Sequence, residues 1–504
     1  MSSSRRLLVT VLSVALLAPS LAATPRSDFE EARDHVAQRA KGVKKAKRAR
    51  NVILFIGDGM GIATITASRI LEGQRKGQSG EDNRLSFEEF PQAALVRTFS
   101  ANQQVSDSAP TATAIVTGWH ANDGALSVGP AVAENEADAA RVAPNALQTI
   151  LELAEDKGLS TGVVSTARIT HATPASNYAH TPNRDWEYAG SLPATATLPD
   201  IAAQLVQRQK TGNGVEVVLG GGRAYLTDTG AADPEYPQAH GLRRDGRDLV
   251  REWVAAQANS RFVWKRDDFL AVDAKNTDHL LGLFERSHMQ YEADRGEDPA
   301  GEPSLAEMTS KAIEILKKNR KGYYLMVEGG RIDHGHHAGN AYRALTDAIA
   351  LSDAVRMAAQ LTDAKDTLIL VTADHSHVMT IAGYPARGNP ILGLVKAPGA
   401  SGPTLDVKGK PYATLSYATG PGFQIIDGKI DEMPRDVTPG RDQDLRDFDT
   451  TSPDYHQESM VGLRSETHGG EDVALFGRGP GSDVVRGVIN QNEIYHVMRR
   501  ALGL

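Results

Sequence analysis

The run Asn51-Val52-Ile53-Leu54-Phe55-Ile56 carries no polar side chain after its first residue, so as a strand it has to be covered on both faces. Short apolar runs of the same kind recur at 161–165, 215–219, 323–327 and 367–372. Between them, apolar residues fall at helical spacing over 146–157, 200–210, 304–318 and 341–361. The alternation predicts an α/β fold, a central and mainly parallel sheet flanked by helices. With 504 residues, 40% of them hydrophobic, the chain has the length for one large core or two domains. In such sheets ligands bind beyond the carboxyl ends of the strands, so the residues that follow each run are where chemistry is expected.

Residues 1–23 have a different layout. Arg5 and Arg6 precede an apolar stretch over 7–17, and Pro19, Ser20, Ala22 and Ala23 follow it. That is the pattern of a secretory signal peptide, and the stretch is far shorter than the roughly 20 residues that span a bilayer. Ser4-Arg5-Arg6-Leu7 also fits a twin-arginine export signal. The expectation is an exported protein, periplasmic or secreted. Residues 24–50 read as a helical extension, solvated and basic toward its end, and 51–504 as one catalytic domain. Its segment from about 378 to 430, rich in Gly and Pro, reads as a small subdomain.

The chain has no cysteine, which removes thiol nucleophiles and thiolate metal sites and leaves His, Asp and Glu as the strong metal ligands. Net charge is −8 and no long basic face gathers the positive residues, so no nucleic-acid partner is expected.

Polar residues stand where the strands stop. Asp58 follows the first run, Glu328 follows Val327, and Asp374-His375 follows Thr372. Each alone reads as a surface carboxylate or a strand-end cap. Gathered at one sheet edge they would repel one another or desolvate badly unless cations bind there. Asp333 and His337 are four apart, so one helical turn brings them to the same face, able to share an ion. The histidines around them would otherwise be a solvated loop. Asp107-Ser108-Ala109-Pro110 is a polar entry into a helix of small residues. Ser108 there is either a helix cap or a hydroxyl placed where helix N–H groups welcome an anion.

Taken in order, Asp58-Gly59-Met60-Gly61, Asp107-Ser108-Ala109, Glu328-Gly329-Gly330-Arg331-Ile332-Asp333-His334-Gly335-His336-His337, Thr372-Ala373-Asp374-His375-Ser376-His377 and Glu466-Thr467-His468-Gly469-Gly470 resemble the motifs of the alkaline phosphatase family. The resemblance runs from about residue 50 to 500. It implies hydrolysis of phosphate monoesters at alkaline pH through a phosphoserine at Ser108. It implies two zinc ions, one held by Asp333, His337 and His468 and the other by Asp374 and His375. Asp58 would bridge the second zinc to one magnesium, with Thr173 and Glu328 completing the magnesium shell. Arg184 matches the family's phosphate clamp, a planar fork that grips two oxygens as a lysine would not. Two zinc ions roughly 4 Å apart suit the attacking and leaving oxygens of an in-line displacement, with Ser108 deprotonated by coordination.

His171 and His334 place the chain in the vertebrate-like branch, as residues of the outer magnesium shell. In those relatives 378–430 is a crown-like subdomain at a homodimer interface, so the resemblance implies a homodimer. It also suggests a calcium site at Glu235, the Phe284 carbonyl, Glu285 and Glu302, whose hard oxygens suit that ion. Sulfatases of the wider superfamily need an arginine where this chain has Ala112. A phosphodiesterase of the superfamily, or a protein that binds metal and phosphate without catalysis, would be expected to lack Ser108, Thr173, Glu328 or Arg184, and all are present.

Overall fold

The computed structural model describes residues 25–41, 48–423 and 443–504, so the leader expected at 1–23 lies outside the described residues. The apolar runs become strands β1 (Asn51–Gly57), β3 (Ser160–Arg168), β4 (Val217–Gly221), β7 (Tyr323–Gly329) and β8 (Thr367–Thr372). With β2 (Gln92–Arg97), β5 (Ser260–Val263), β6 (His279–Leu283), Val473–Arg478 and Arg486–Asn490 they form one sheet of ten strands. Its order is Arg486–Asn490, β2, Val473–Arg478, β8, β1, β7, β3, β4, β6, β5. Neighbours run parallel except at Val473–Arg478, which is antiparallel to both β2 and β8. The sheet is therefore mainly parallel, as expected, with one reversed strand.

Every residue of β1, β7 and β8 is buried. Covering the five apolar side chains from Val52 to Ile56 contributes roughly 10 kcal/mol against the entropy of ordering the strand. Helices Leu305–Leu316 and Ala341–Leu361 pack on each other and on β7. Helices Ser108–Thr117, Ile150–Asp156 and Glu493–Leu502 form a second group in mutual contact.

The amino-terminal extension differs from expectation. Its helix spans Pro25–Arg39, ends well short of residue 50, and is docked instead of solvated. Ala32 and Val36 are buried, Phe29 stacks on Trp119 with ring centroids 5.0 Å apart, and Arg39 pairs with the buried Glu493. Phe29, Ala32 and Val36 form an apolar stripe at helical spacing that the surrounding charges hide. The segment at 378–430 supplies Met379–Ile381 and Leu415–Gly420 to a separate three-stranded sheet, whose third strand, Ser459–Gly462, comes from beyond it. Among the described residues no helix is long and apolar enough to cross a membrane.

Candidate active site

Strand register brings the polar residues together. Ile56 on β1 is level with Glu328 on β7 and with Thr372 on β8, so Asp58, Glu328 and Asp374 emerge within two residues of one another along one sheet edge. The turn after β1 needs Gly59, whose φ is +69° and where a Cβ would lie 2.3 Å from the His377 ring. That close approach lets the Gly59 N–H reach Asp374 Oδ1 at 3.0 Å.

Asp333, His337, His468 and His377 place ligand atoms within 4.8 Å of one another. His337 Nε2 lies 3.3 Å and His468 Nε2 3.4 Å from Asp333 Oδ1, and the two imidazole nitrogens are 3.1 Å apart. Their other nitrogens face backbone carbonyls, His337 Nδ1 that of Glu466 (2.7 Å) and His468 Nδ1 that of Ser106 (2.8 Å). An N–H donated there leaves each Nε2 as a free lone pair aimed at the cluster. Burial works against the charge of Asp333, yet His337, His377 and His468 around it hold it well below the usual carboxylate range.

A second group joins Asp58, Asp374 and His375, all fully buried. His375 Nε2 is 3.4 Å from Asp58 Oδ1, 3.4 Å from Asp374 Oδ2 and 3.0 Å from Ser108 Oγ. Asp58 Oδ2, Asp374 Oδ2, Glu328 Oε1 and Thr173 Oγ1 are buried oxygens with no hydrogen-bond partner. Burial and the neighbouring carboxylates push Asp58 well above its ordinary value, and Glu328 up to about 7. Orphaned oxygens and crowded carboxylates are what divalent cations relieve, so the residues present fit a metal centre.

Ser108 is the first residue of helix Ser108–Thr117, and the cap is Asp107, whose Oδ2 accepts from Ala109 N–H at 3.1 Å. The serine hydroxyl is thus free of capping and turned toward Asp58 and His375. Asp107 Oδ1 also anchors Arg184 through Nη1, and Arg184 Nη2 donates to His171 Nε2 at 2.8 Å. His171 and His334 stand beside the clamp, ring centroids 5.4 Å apart. A cavity of about 340 Å³ is lined by Asp107 and His468 together with Gln103, Val105, Ser106 and Thr467.

The sequence-predicted ligands meet, but the sequence reading passed over partners inside the same motifs. His377 Nε2 touches Asp333 Oδ1 at 2.8 Å while its Nδ1 is bound to buried Glu466. Burial would lower His377, but Glu466 and Asp333 raise it to about 10. A further omission is His288, which completes a cluster with His171 and His334. At the expected calcium residues, Glu235 and Glu285 converge with Asp298, which was not foreseen. Glu302 lies alongside, with Oε2 accepting from Gln290 N–H at 2.9 Å and Oε1 buried without a partner, and Phe284 follows directly on β6. Both carboxylate oxygens of Asp298 are buried and unpartnered.

Sheet, helix-borne serine and clustered carboxylates and imidazoles define a metal-dependent α/β enzyme. Residues 49–504 match the family described as Alkaline phosphatase. The chain is 44% identical to the tissue-nonspecific isozyme of alkaline phosphatase from Gallus gallus over 462 residues, 90% of this chain and 84% of that one. The Homo sapiens isozyme is 43% identical over 462 residues, 90% of this chain and 83% of that one. The fold also matches solved alkaline phosphatases. The Thermus thermophilus structure has a TM-score of 0.64 at 23% identity, covering 92% of this chain and 94% of that one. That of the Antarctic bacterium TAB5 has a TM-score of 0.60 at 22% identity, covering 91% and 99%. The chain belongs to the alkaline phosphatase family.

Proposed function

We propose that this chain hydrolyses phosphate monoesters to an alcohol and inorganic phosphate, at alkaline pH, through a phosphoserine at Ser108 in a centre of two zinc ions and one magnesium. The observation that carries this reading is the uncapped Ser108 hydroxyl, 3.0 Å from His375 Nε2 and 3.4 Å from Asp58 Oδ1, facing buried oxygens that lack partners. Asp333, His337 and His468 would hold one zinc and Asp374 and His375 the other. Asp58 would be shared with magnesium, which Thr173 and Glu328 complete. Bound there, the ions supply Lewis-acid stabilisation of the attacking and leaving oxygens.

The chain's own residues do the rest. Arg184, held by Asp107, presents its fork to two phosphate oxygens, and the amino end of helix Ser108–Thr117 adds backbone N–H groups. Ser108 Oγ attacks phosphorus in line as the alcohol oxygen leaves, and water then attacks the phosphoserine from the side the alcohol vacated. Two displacements give net retention. His171 and His334 would stand in the outer shell of that magnesium, where they could meet its waters or the phosphate. Glu235, Glu285, Asp298 and Glu302 would supply oxygens for calcium, with the Phe284 carbonyl.

A homodimer joined through the subdomain at 378–430, and export through the leader at 1–23 to the periplasm or beyond, complete the reading. Ser108→Ala should form no acid-stable phosphoenzyme and turn over very slowly, with zinc still bound. Trapping with labelled phosphate at low pH is the measurement, and normal labelling of the alanine variant would sink the assignment.

A further inference from the structure

Of the three histidines in the motif 334–337, His336 has no part in the reading above. It is fully buried on helix Arg331–His337, three residues after Asp333 and one before His337. Its ring packs against that of His377, centroids 4.8 Å apart, yet both its nitrogens meet hydroxyls. Nε2 is 2.9 Å from Thr64 Oγ1, and Nδ1 is 2.8 Å from Tyr417 Oη. A hydroxyl donates or accepts, so the chain Thr64, His336, Tyr417 is satisfied whichever ring nitrogen carries the proton. All three residues are buried, and they come from three separate elements. Thr64 stands on helix Ile62–Arg75, which follows the Asp58 turn, and Tyr417 on Leu415–Gly420, the middle strand of the small sheet.

Helix Arg331–His337 has seven residues, too few to hold its own geometry, so what packs around it decides how it is turned. On one side Gly335 lies against helix Ala341–Leu361, where a Cβ would come within 2.6 Å of the Ala344 nitrogen. That contact sets the distance between the helices, but a glycine has no side chain to interlock against rotation. The hydrogen bonds of His336 do resist it, because they hold the ring at both nitrogens. Side-chain ends stand about 5–6 Å from a helix axis, so a turn of about 10° would carry the His337 ring by about 1 Å. A preorganised site tolerates only about 0.5 Å. Tyr417 is itself held by its strand, level with Met379 on one side and Ser459 on the other, with its backbone N–H donating to the Glu458 carbonyl at 2.8 Å.

We propose that Tyr417 is a positioning residue for the metal centre: acting through His336, its hydroxyl sets the rotation of helix Arg331–His337 and so keeps Asp333 and His337 converged with His468. The small sheet thereby tunes zinc affinity from outside the cluster. The proposal rests on the reading of Asp333, His337 and His468 as a zinc site.

The test is a chelator competition for zinc on the metal-free protein at neutral pH and constant magnesium, with His337→Ala marking which zinc step belongs to that site. Tyr417→Phe keeps the ring and removes only the hydroxyl. It should weaken zinc at that site about tenfold, the low end of what an outer-shell partner contributes, and leave the other zinc step unchanged. A merely structural contribution would lower Tm without singling out one step. In a His336→Leu background, Tyr417→Phe should weaken zinc by no more than about twofold further, because the residue it acts through is gone. Should Tyr417→Phe not fold, Thr64→Val, which removes the hydroxyl at the other nitrogen, should weaken the same step by a similar factor. Unchanged zinc affinity, equal weakening of both steps, or a loss that persists in full in the His336→Leu background overturns the positioning role alone. A wild type that binds zinc no better than His337→Ala overturns the zinc reading and the positioning role together.

Discussion

The proposed calcium site predicts that removing calcium destabilises this protein more the higher the pH. Burial and the charges of Asp298, Glu285 and Glu235 push Glu302 from 4.5 up to about 8, and burial raises Glu235 to about 7. A carboxylate whose folded value is raised holds its proton more tightly folded than unfolded. Without calcium, stability is therefore fully present below pH 4.5 and falls as the pH rises through 8. Each pH unit between the two values weighs about 1.4 kcal/mol. For buried Glu302 the loss is about 3 kcal/mol at pH 7 and about 5 kcal/mol above pH 8. Glu235 adds less, because Arg223 Nη2 holds its other oxygen at 2.8 Å. Calcium bound at the proposed site would take the place of the protons and lift the penalty. With an unfolding entropy of about 2 cal/mol/K per residue, a chain of this length shifts its Tm by about 1 °C per kcal/mol. Scanning calorimetry of calcium-free protein, zinc and magnesium held constant, should show a Tm gap to the calcium-loaded form. The gap should be near zero at pH 5 and reach about 3–5 °C above pH 8. Glu302→Gln should flatten the pH dependence of the calcium-free protein. A gap that is constant with pH, or that narrows as pH rises, would refute the reasoning.

Other substitutions separate the roles in the catalytic centre. Arg184→Ala should lower kcat/KM by roughly 30- to 150-fold, a charge-assisted pair of about 2–3 kcal/mol, with zinc content unchanged. His337→Ala or His375→Ala should instead lose zinc, and full zinc with full activity in either would refute the ligand assignment. Glu466→Gln frees His377 from its buried partner and should weaken zinc at Asp333 by roughly 10- to 100-fold in a chelator competition, because an orienting neighbour is lost. An unchanged zinc affinity would show that His377 needs no such support. Added magnesium should activate the wild type, and His171→Asp should hold magnesium more tightly, since a carboxylate suits that ion better than an imidazole does. Identical magnesium responses would mean that His171 does not tune the site.

The strands at the centre were legible because β1, β7 and β8 are buried along their whole length, and that demand is written as unbroken apolar runs. Other strands are less visible. Gln92–Arg97 exposes every other residue, and Val473–Arg478 includes a glycine and ends in arginine, so neither stands out from its surroundings. The candidate ligands were readable as residues at strand ends, together with their resemblance to family motifs. What they lean on was not, since Glu466 reaches His377 across 89 residues and Asp298 joins Glu235 from a loop beyond β6 whose course no periodicity reveals. Ser108 shows the limit at closest range. A polar residue opening a helix looks like its cap, and only the three-dimensional arrangement shows that Asp107 does the capping and leaves the serine free.

The reversed strand Val473–Arg478 should also govern when the protein becomes active. Among the described residues it is what joins β2 to β8 in the sheet, and the segment just before it delivers His468 to Asp333 and His337. A chain still being made, or one cut short before residue 468, has Ser108, Arg184 and most of the proposed metal ligands but has neither the strand that closes the sheet nor the imidazole proposed to complete the first zinc shell. Catalysis should therefore switch on in one step with the last part of the chain. Truncated products should be inert, and hydrolytic activity should report that the whole sheet has closed.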